Sequence, residues 1–69
     1  MNKDVKDLRD LAKYIAKRDN ISEFEAEEQI AQCQIDMETA FFNGDLGLAE
    51  AIMHGDLNLD NEFFSLFIN

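Results

Sequence analysis

The stretch over residues 22–43, SEFEAEEQIAQCQIDMETAFFN, decides the fold. It reads as one helix of about six turns, roughly 33 Å long at the helical rise. Ser22 and Glu25 have the S-x-x-E spacing of a capping box, in which each side chain satisfies a backbone N–H that the helix start leaves orphaned. The stretch ends at Asn43-Gly44, where glycine can take the left-handed conformation that closes helices. No proline or glycine interrupts it. Its apolar residues fall on two stripes at helical spacing. Ala26, Ile30, Cys33, Met37, Ala40 and Phe41 form one; Phe24, Ala31, Ile35 and Phe42 form the other. A helix with two apolar faces packs on two sides. The second stripe is expected to be covered by another part of this chain or by a second copy in a two-fold homodimer.

Outward from this helix, the chain reads as a single all-α domain over residues 1–69. Residues 3–18 predict a first helix, with Val5, Leu8, Leu11, Ala12 and Ile15 on one face and Lys6, Arg9, Lys13 and Lys17 on roughly the opposite one. Asn2 is a candidate N-cap, and Asp4 and Asp7 suit the positive end of the helix dipole. The turn Arg18-Asp19-Asn20-Ile21 makes the pair a helical hairpin. Beyond residue 43, Gly44-Asp45-Leu46-Gly47-Leu48 and Gly55-Asp56-Leu57-Asn58-Leu59 repeat the pattern G-D-L-x-L. Read as punctuation, each glycine ends a helix and each Asp begins the next. Two short helices are then expected, near residues 46–54 and 60–67, folded over the central one. The second carries Phe63, Phe64, Leu66 and Phe67, with Ile68 just after it, too apolar a cluster for a small monomer to leave in water.

Charge is the strongest compositional signal. The net charge is −9. All six cations lie in the first eighteen residues, where three carboxylates leave +3; the remainder holds twelve carboxylates and no Lys or Arg. Such a field repels nucleic acid and acidic membranes and attracts basic surfaces. The first helix, carrying +3, is expected to pack beside the acidic remainder. On the central helix Glu25, Glu28 and Asp36 lie on the solvated face, and Glu27 and Glu38 lie between the two apolar stripes. Rows of carboxylates on a rigid helix can imitate duplex phosphates and fill a basic groove.

The motifs point away from catalysis, and no enzyme is expected. Cys33, the only cysteine, sits on an apolar face as a small hydrophobe, and one Cys with one His cannot make a four-ligand zinc site. Asp56-Leu57-Asn58-Leu59-Asp60 has the 1, 3, 5 spacing of a calcium loop, but Asn61 stands where the loop needs glycine and Phe67 where it needs a bidentate Glu. It reads as a capping turn whose leucines anchor the core. His54 reads as a helix C-terminal residue. Ser22 and Ser65 have no triad context. No cofactor or metal is expected. The chain has no signal-peptide pattern and no apolar run long enough to span a membrane, so a reduced cytoplasmic setting is expected.

Residues 20–69 resemble short helical proteins encoded by phages and other mobile elements. The likeness rests on Phe41-Phe42-Asn43-Gly44-Asp45, on Ala49-Glu50-Ala51-Ile52, and on Asp56-Leu57-Asn58-Leu59-Asp60 before the terminal aromatic cluster. The Lys-rich first helix is not part of it. The resemblance implies an accessory protein that inhibits a host defence complex, as anti-CRISPR proteins and DNA mimics do. Its expected partner is a host protein with a basic nucleic-acid-binding groove, met through Glu25, Glu28, Asp36, Glu27 and Glu38. The alternative is a homo-oligomeric structural or assembly protein of the same kind of element, with Phe24, Ala31, Ile35 and Phe42 as its interface.

Overall fold

A computed structural model describes residues 5–68. Helix α1 runs Leu8–Asp19, α2 Glu23–Phe42 and α3 Leu46–Leu57; a 3-10 turn at Asn61–Phe63 and a short α4, Ser65–Ile68, follow. No strand occurs among the described residues. The expected all-α hairpin with two further helical segments is the observed architecture.

Helix α2 keeps the bounds its sequence dictates. Glu25 N–H donates to Ser22 Oγ at 3.0 Å, and Ser22 N–H donates to Glu25 Oε1 at 3.4 Å, completing the capping box. At the far end Gly44 sits at φ +71°. There Asp45 N–H donates to Ala40 O at 2.8 Å and Gly44 N–H to Phe41 O at 3.0 Å. This pair of bonds satisfies carbonyls that a helix end otherwise orphans. Asp45 then caps α3, its Oδ1 accepting Leu48 N–H at 3.1 Å.

Three expectations need correcting. Helix α1 begins at Leu8, because Asp7 is extended and caps it, accepting Asp10 N–H at 2.9 Å. The candidate cap Asn2 and the dipole-suited Asp4 lie outside the described residues. Helix α3 does not stop at Gly55: it runs through to Leu57, and Asn58, left-handed at φ 54°, ends it. Asp56 is therefore a residue of the last helical turn, and Asp60, though it precedes the 3-10 turn, makes no side-chain cap bond. The two G-D-L-x-L segments share letters but not structure. The other left-handed Asn, Asn20 at φ 56°, ends α1, with Ile21 N–H donating to Ala16 O at 3.0 Å.

The core lies along the first stripe of α2. Ala26, Ile30, Cys33, Met37 and Ala40 are buried between Leu11, Ala12, Ile15 and Ala16 of α1 and Ala49, Met53 and Leu57 of α3. The tail closes over the core through Phe63 and Phe64, but Ile68, expected to be covered with them, stays 51% exposed. Phe63 meets Tyr14 with ring centroids 5.4 Å apart, and Phe64 stacks on Phe41 at 6.0 Å. Such aromatic pairs add to the area they bury. Leu59 is buried as well, so the two leucines of the calcium-like segment are core anchors, as their sequence suggests.

Candidate protein-binding surfaces

The position of each carboxylate on α2 follows from the side the core occupies. Glu25, Glu27, Glu28, Asp36 and Glu38 are all exposed. Glu25 is tied into the capping box, and Asp36 Oδ1 accepts Gln32 Nε2–H at 3.0 Å. The other three have no side-chain hydrogen bond among the described residues. The one ion pair among the described residues is Arg18 with Asp19, at the end of α1, at 2.8 Å. Helix α1 packs beside the acidic central helix, as expected. Helix α1 packs on α2 through its apolar face, and Lys6, Arg9, Lys13 and Lys17 are exposed. Charge is segregated rather than neutralised, because apolar contact sets the orientation and surface ion pairs contribute little. An open groove of about 260 Å³ separates part of α1 from α2, lined by Leu8, Arg9, Glu27, Ile30 and Gln34.

The second stripe is uncovered. Phe24 is 67% exposed, Ile35 60% and Phe42 91%, and Ala31 between them is exposed too. Neither α1 nor the tail reaches it, which removes the expectation that this chain covers its own second face. A shallow depression of about 310 Å³ lies beside Phe42, lined also by Glu38 and Thr39. The stripe runs along the side of α2 opposite the core.

No family model, curated protein or solved structure matches this chain. A functional reading therefore rests on surface chemistry.

The groups with latent reactivity are engaged or buried. Cys33 is fully buried and free, its S–H 3.4 Å from Met37 Sδ. Burial pushes its thiol up to about 12, with the charges of Asp56 and Asp36 adding to the effect. It stays a thiol and not the nucleophilic thiolate. His54 lies in the last turn of α3, its Nδ1 3.2 Å from Leu59 O. A carbonyl only accepts, so that bond places a proton on Nδ1. No three His, Cys, Asp or Glu side chains converge into a metal-holding group among the described residues.

Two features escape the sequence. Arg18, which the sequence places only in the turn after the first helix, reaches from the end of α1 to the end of α3. It donates to Leu57 O at 2.8 Å and Asn58 O at 3.0 Å, with its guanidinium 5.9 Å from the Tyr14 ring centre. Nothing local predicts a contact forty residues away; the left-handed Asn58, which turns those carbonyls outward, was the available signal. The second is a like-charge contact between α2 and α3. The exposed Asp56 carboxyl is held above its usual range, chiefly because it can share a proton with the Asp36 carboxylate, then by slight desolvation and by Asp36's charge.

Proposed function

We propose that this chain is a non-enzymatic protein that binds a basic, nucleic-acid-handling groove of a partner protein through the carboxylates of α2. The observation that carries this reading is the arrangement of charge. Six acidic side chains, Glu23 with the five named above, stand exposed on one rigid twenty-residue helix, and the described cations are exposed elsewhere. Lys and Arg side chains that already serve phosphates can receive carboxylates without redesign. On this reading the partner belongs to a host defence complex such as a CRISPR effector, in keeping with the likeness to phage accessory proteins. The chain itself does not bind DNA or RNA, and it acts in the host cytoplasm. No described helix is long and apolar enough to cross a membrane.

The test is competition. The purified protein is titrated against labelled duplex or guide RNA on a candidate effector at several salt concentrations. Mutual exclusion that weakens with ionic strength, and weakens again on changing Glu25, Glu28 and Asp36 to Gln or Asn, supports the reading. Simultaneous binding of protein and nucleic acid with no mutual loss of affinity refutes it.

A second reading is favoured by a separate observation, the 91% exposure of Phe42 with Phe24 and Ile35 on the same face. In it the chain is a homo-oligomeric structural or assembly protein, and its charge serves solubility alone. Its oligomer is lost when Phe24 or Ile35 is replaced by a charged residue, with the salt response of nucleic-acid competition absent.

A further inference from the structure

The uncovered face of α2 has an order that its exposure alone does not convey. Phe24, Glu28, Ala31, Ile35, Glu38 and Phe42 follow one another at alternating spacings of four and three, the spacing that keeps residues along one seam of a helix. All six are exposed. Read from either end, the seam runs aromatic, acidic, aliphatic, aliphatic, acidic, aromatic. We infer that this seam is the interface of an antiparallel two-fold dimer of the chain. Phe24 of one copy meets Phe42 of the other, Ala31 meets Ile35, and the axis passes at the level of Cys33 on the solvent side of α2. The inference stands apart from the acidic-groove reading, since this contact forms whether or not a basic partner exists.

A second copy is the occupant because the seam complements itself. In the antiparallel register the smallest apolar residue, Ala31, faces the branched Ile35, so the gap between helices is even along its length. A parallel pair would set alanine on alanine and isoleucine on isoleucine, with a void and a bulge. Charge makes the same choice. Glu23, Glu25, Glu27 and Glu28 crowd the first half of α2, whereas the second half holds only Asp36 and Glu38. Antiparallel pairing places the dense half against the sparse one. Parallel pairing superimposes the two dense halves and aligns the helix dipoles. Around the axis the flanking residues are Gln32 and Gln34, both uncharged. The depression lined by Glu38, Thr39 and Phe42 lies where the partner's end of the seam falls.

Two properties follow. The seam is about 27 Å long and one helix wide, near the lower limit of specific interfaces, so dissociation constants of about 10 µM or weaker are expected. In this register Glu28 faces Glu38 of the other copy twice, and each pair repels. Dimerisation therefore strengthens as salt screens them. Attraction to a basic groove has the opposite salt response, so the two readings can fail independently.

The experiment is sedimentation equilibrium from about 10 µM to 1 mM, at low and high salt, on the full chain. A monomer–dimer equilibrium that tightens several-fold with salt is expected, and Ile35→Glu, folded by circular dichroism, should be monomeric throughout. Register is read by oxidation of Phe24→Cys and Phe42→Cys variants, with the buried Cys33 thiol as a silent background. An equimolar mixture should give the cross-linked heterodimer, and neither variant alone should cross-link efficiently. A monomer at 1 mM in both salts, a dimer that survives Ile35→Glu, or self-cross-linking of Phe24→Cys each overturns the proposal.

Discussion

Replacing Met37 with Asp tests which face of α2 holds the protein together. Met37 is fully buried among α1 and α3, one turn from Cys33 and Ala40. Losing the buried side chain costs about 1.5–3 kcal/mol of transfer free energy. Burying an unpaired carboxylate costs several kcal/mol more, even after relaxation and water entry. A chain of 69 residues has a total stability of about 3–10 kcal/mol at typical per-residue values. The variant is therefore expected to be unfolded at 25 °C, and Met37→Ala to lose about 2–4 kcal/mol. The matched control is Ile35→Asp, two residues away on the same helix. Its side chain is 60% exposed, so the change should cost less than about 1 kcal/mol in the monomer. Thermal and urea melts followed by circular dichroism at low micromolar concentration decide the matter. A cooperative melt for Met37→Asp near the wild-type midpoint, or an unfolded Ile35→Asp monomer, would refute the assignment of the two faces.

Three further predictions follow from single contacts. Gly55 lies inside α3 with open space where a Cβ would stand, so Gly55→Ala should stabilise by about 0.5–1 kcal/mol, whereas Gly44→Ala at φ +71° should destabilise by about 1–2 kcal/mol; urea midpoints moving the same way for both would contradict the observed end of α3. Arg18→Ala removes two charged donors from Leu57 O and Asn58 O and should cost about 1–2 kcal/mol after allowance for solvent screening, with Arg18→Lys recovering only part because ammonium cannot fork; hydrogen exchange confined to faster opening of the α3 end would accompany it. The raised Asp56 carboxyl binds its proton more tightly in the folded state than in the unfolded one, so its contribution favours folding as pH falls from neutrality through the carboxylate range and is lost as pH rises through it. Asp56→Asn should accordingly gain less than about 1 kcal/mol at pH 7 and nothing near pH 3. Asp19, held below its usual range by the Arg18 side chain, acts in the opposite sense in both proteins and cancels in the comparison; equal stabilisation at both pH values would remove the Asp36 contact as its cause.

The legible and illegible parts of this fold separate by the range of the interactions that decide them. Helix α2 could be read to within a residue because its start and end are set locally, by Ser22 with Glu25 and by Gly44. The burial of Ala26, Ile30, Cys33, Met37 and Ala40 followed from their helical spacing, but Phe24, Ala31, Ile35 and Phe42 meet the same spacing and stay exposed, so period alone did not say which stripe this chain covers. The end of α3 was misread because glycine permits a helix end without requiring one. Leu57 is buried when the helix continues, and that packing outweighs the modest cost of a glycine inside it. Asn20 and Asn58 supply the left-handed closures instead, a role for which asparagine is the usual second choice. Helix α1 packs beside the acidic central helix, but its apolar residues set its orientation and leave its described cations in water. Arg18 and the Asp36 contact with Asp56 depend on where three helices come to rest, and no local spacing encodes that.

Helix α2 carries both proposed interactions, and they overlap at particular side chains. The core occupies one side, the palindromic seam the opposite side, and the carboxylate rows the flanks between them. Glu28 and Glu38 stand in the seam itself, whereas Glu25 and Asp36 stand outside it. A dimer formed as inferred would cover the first pair and present the second pair twice, once on each copy. Two neutralising double variants therefore divide the readings. Glu28→Gln with Glu38→Gln removes the repulsion across the seam, so it should tighten the dimer and abolish its dependence on salt. Glu25→Gln with Asp36→Asn should leave the dimer as it is and weaken binding to a basic groove. If the first pair instead weakens groove binding and leaves association unchanged, the seam is the partner-facing surface. The aromatic ends at Phe24 and Phe42 would then meet that partner and not a second copy.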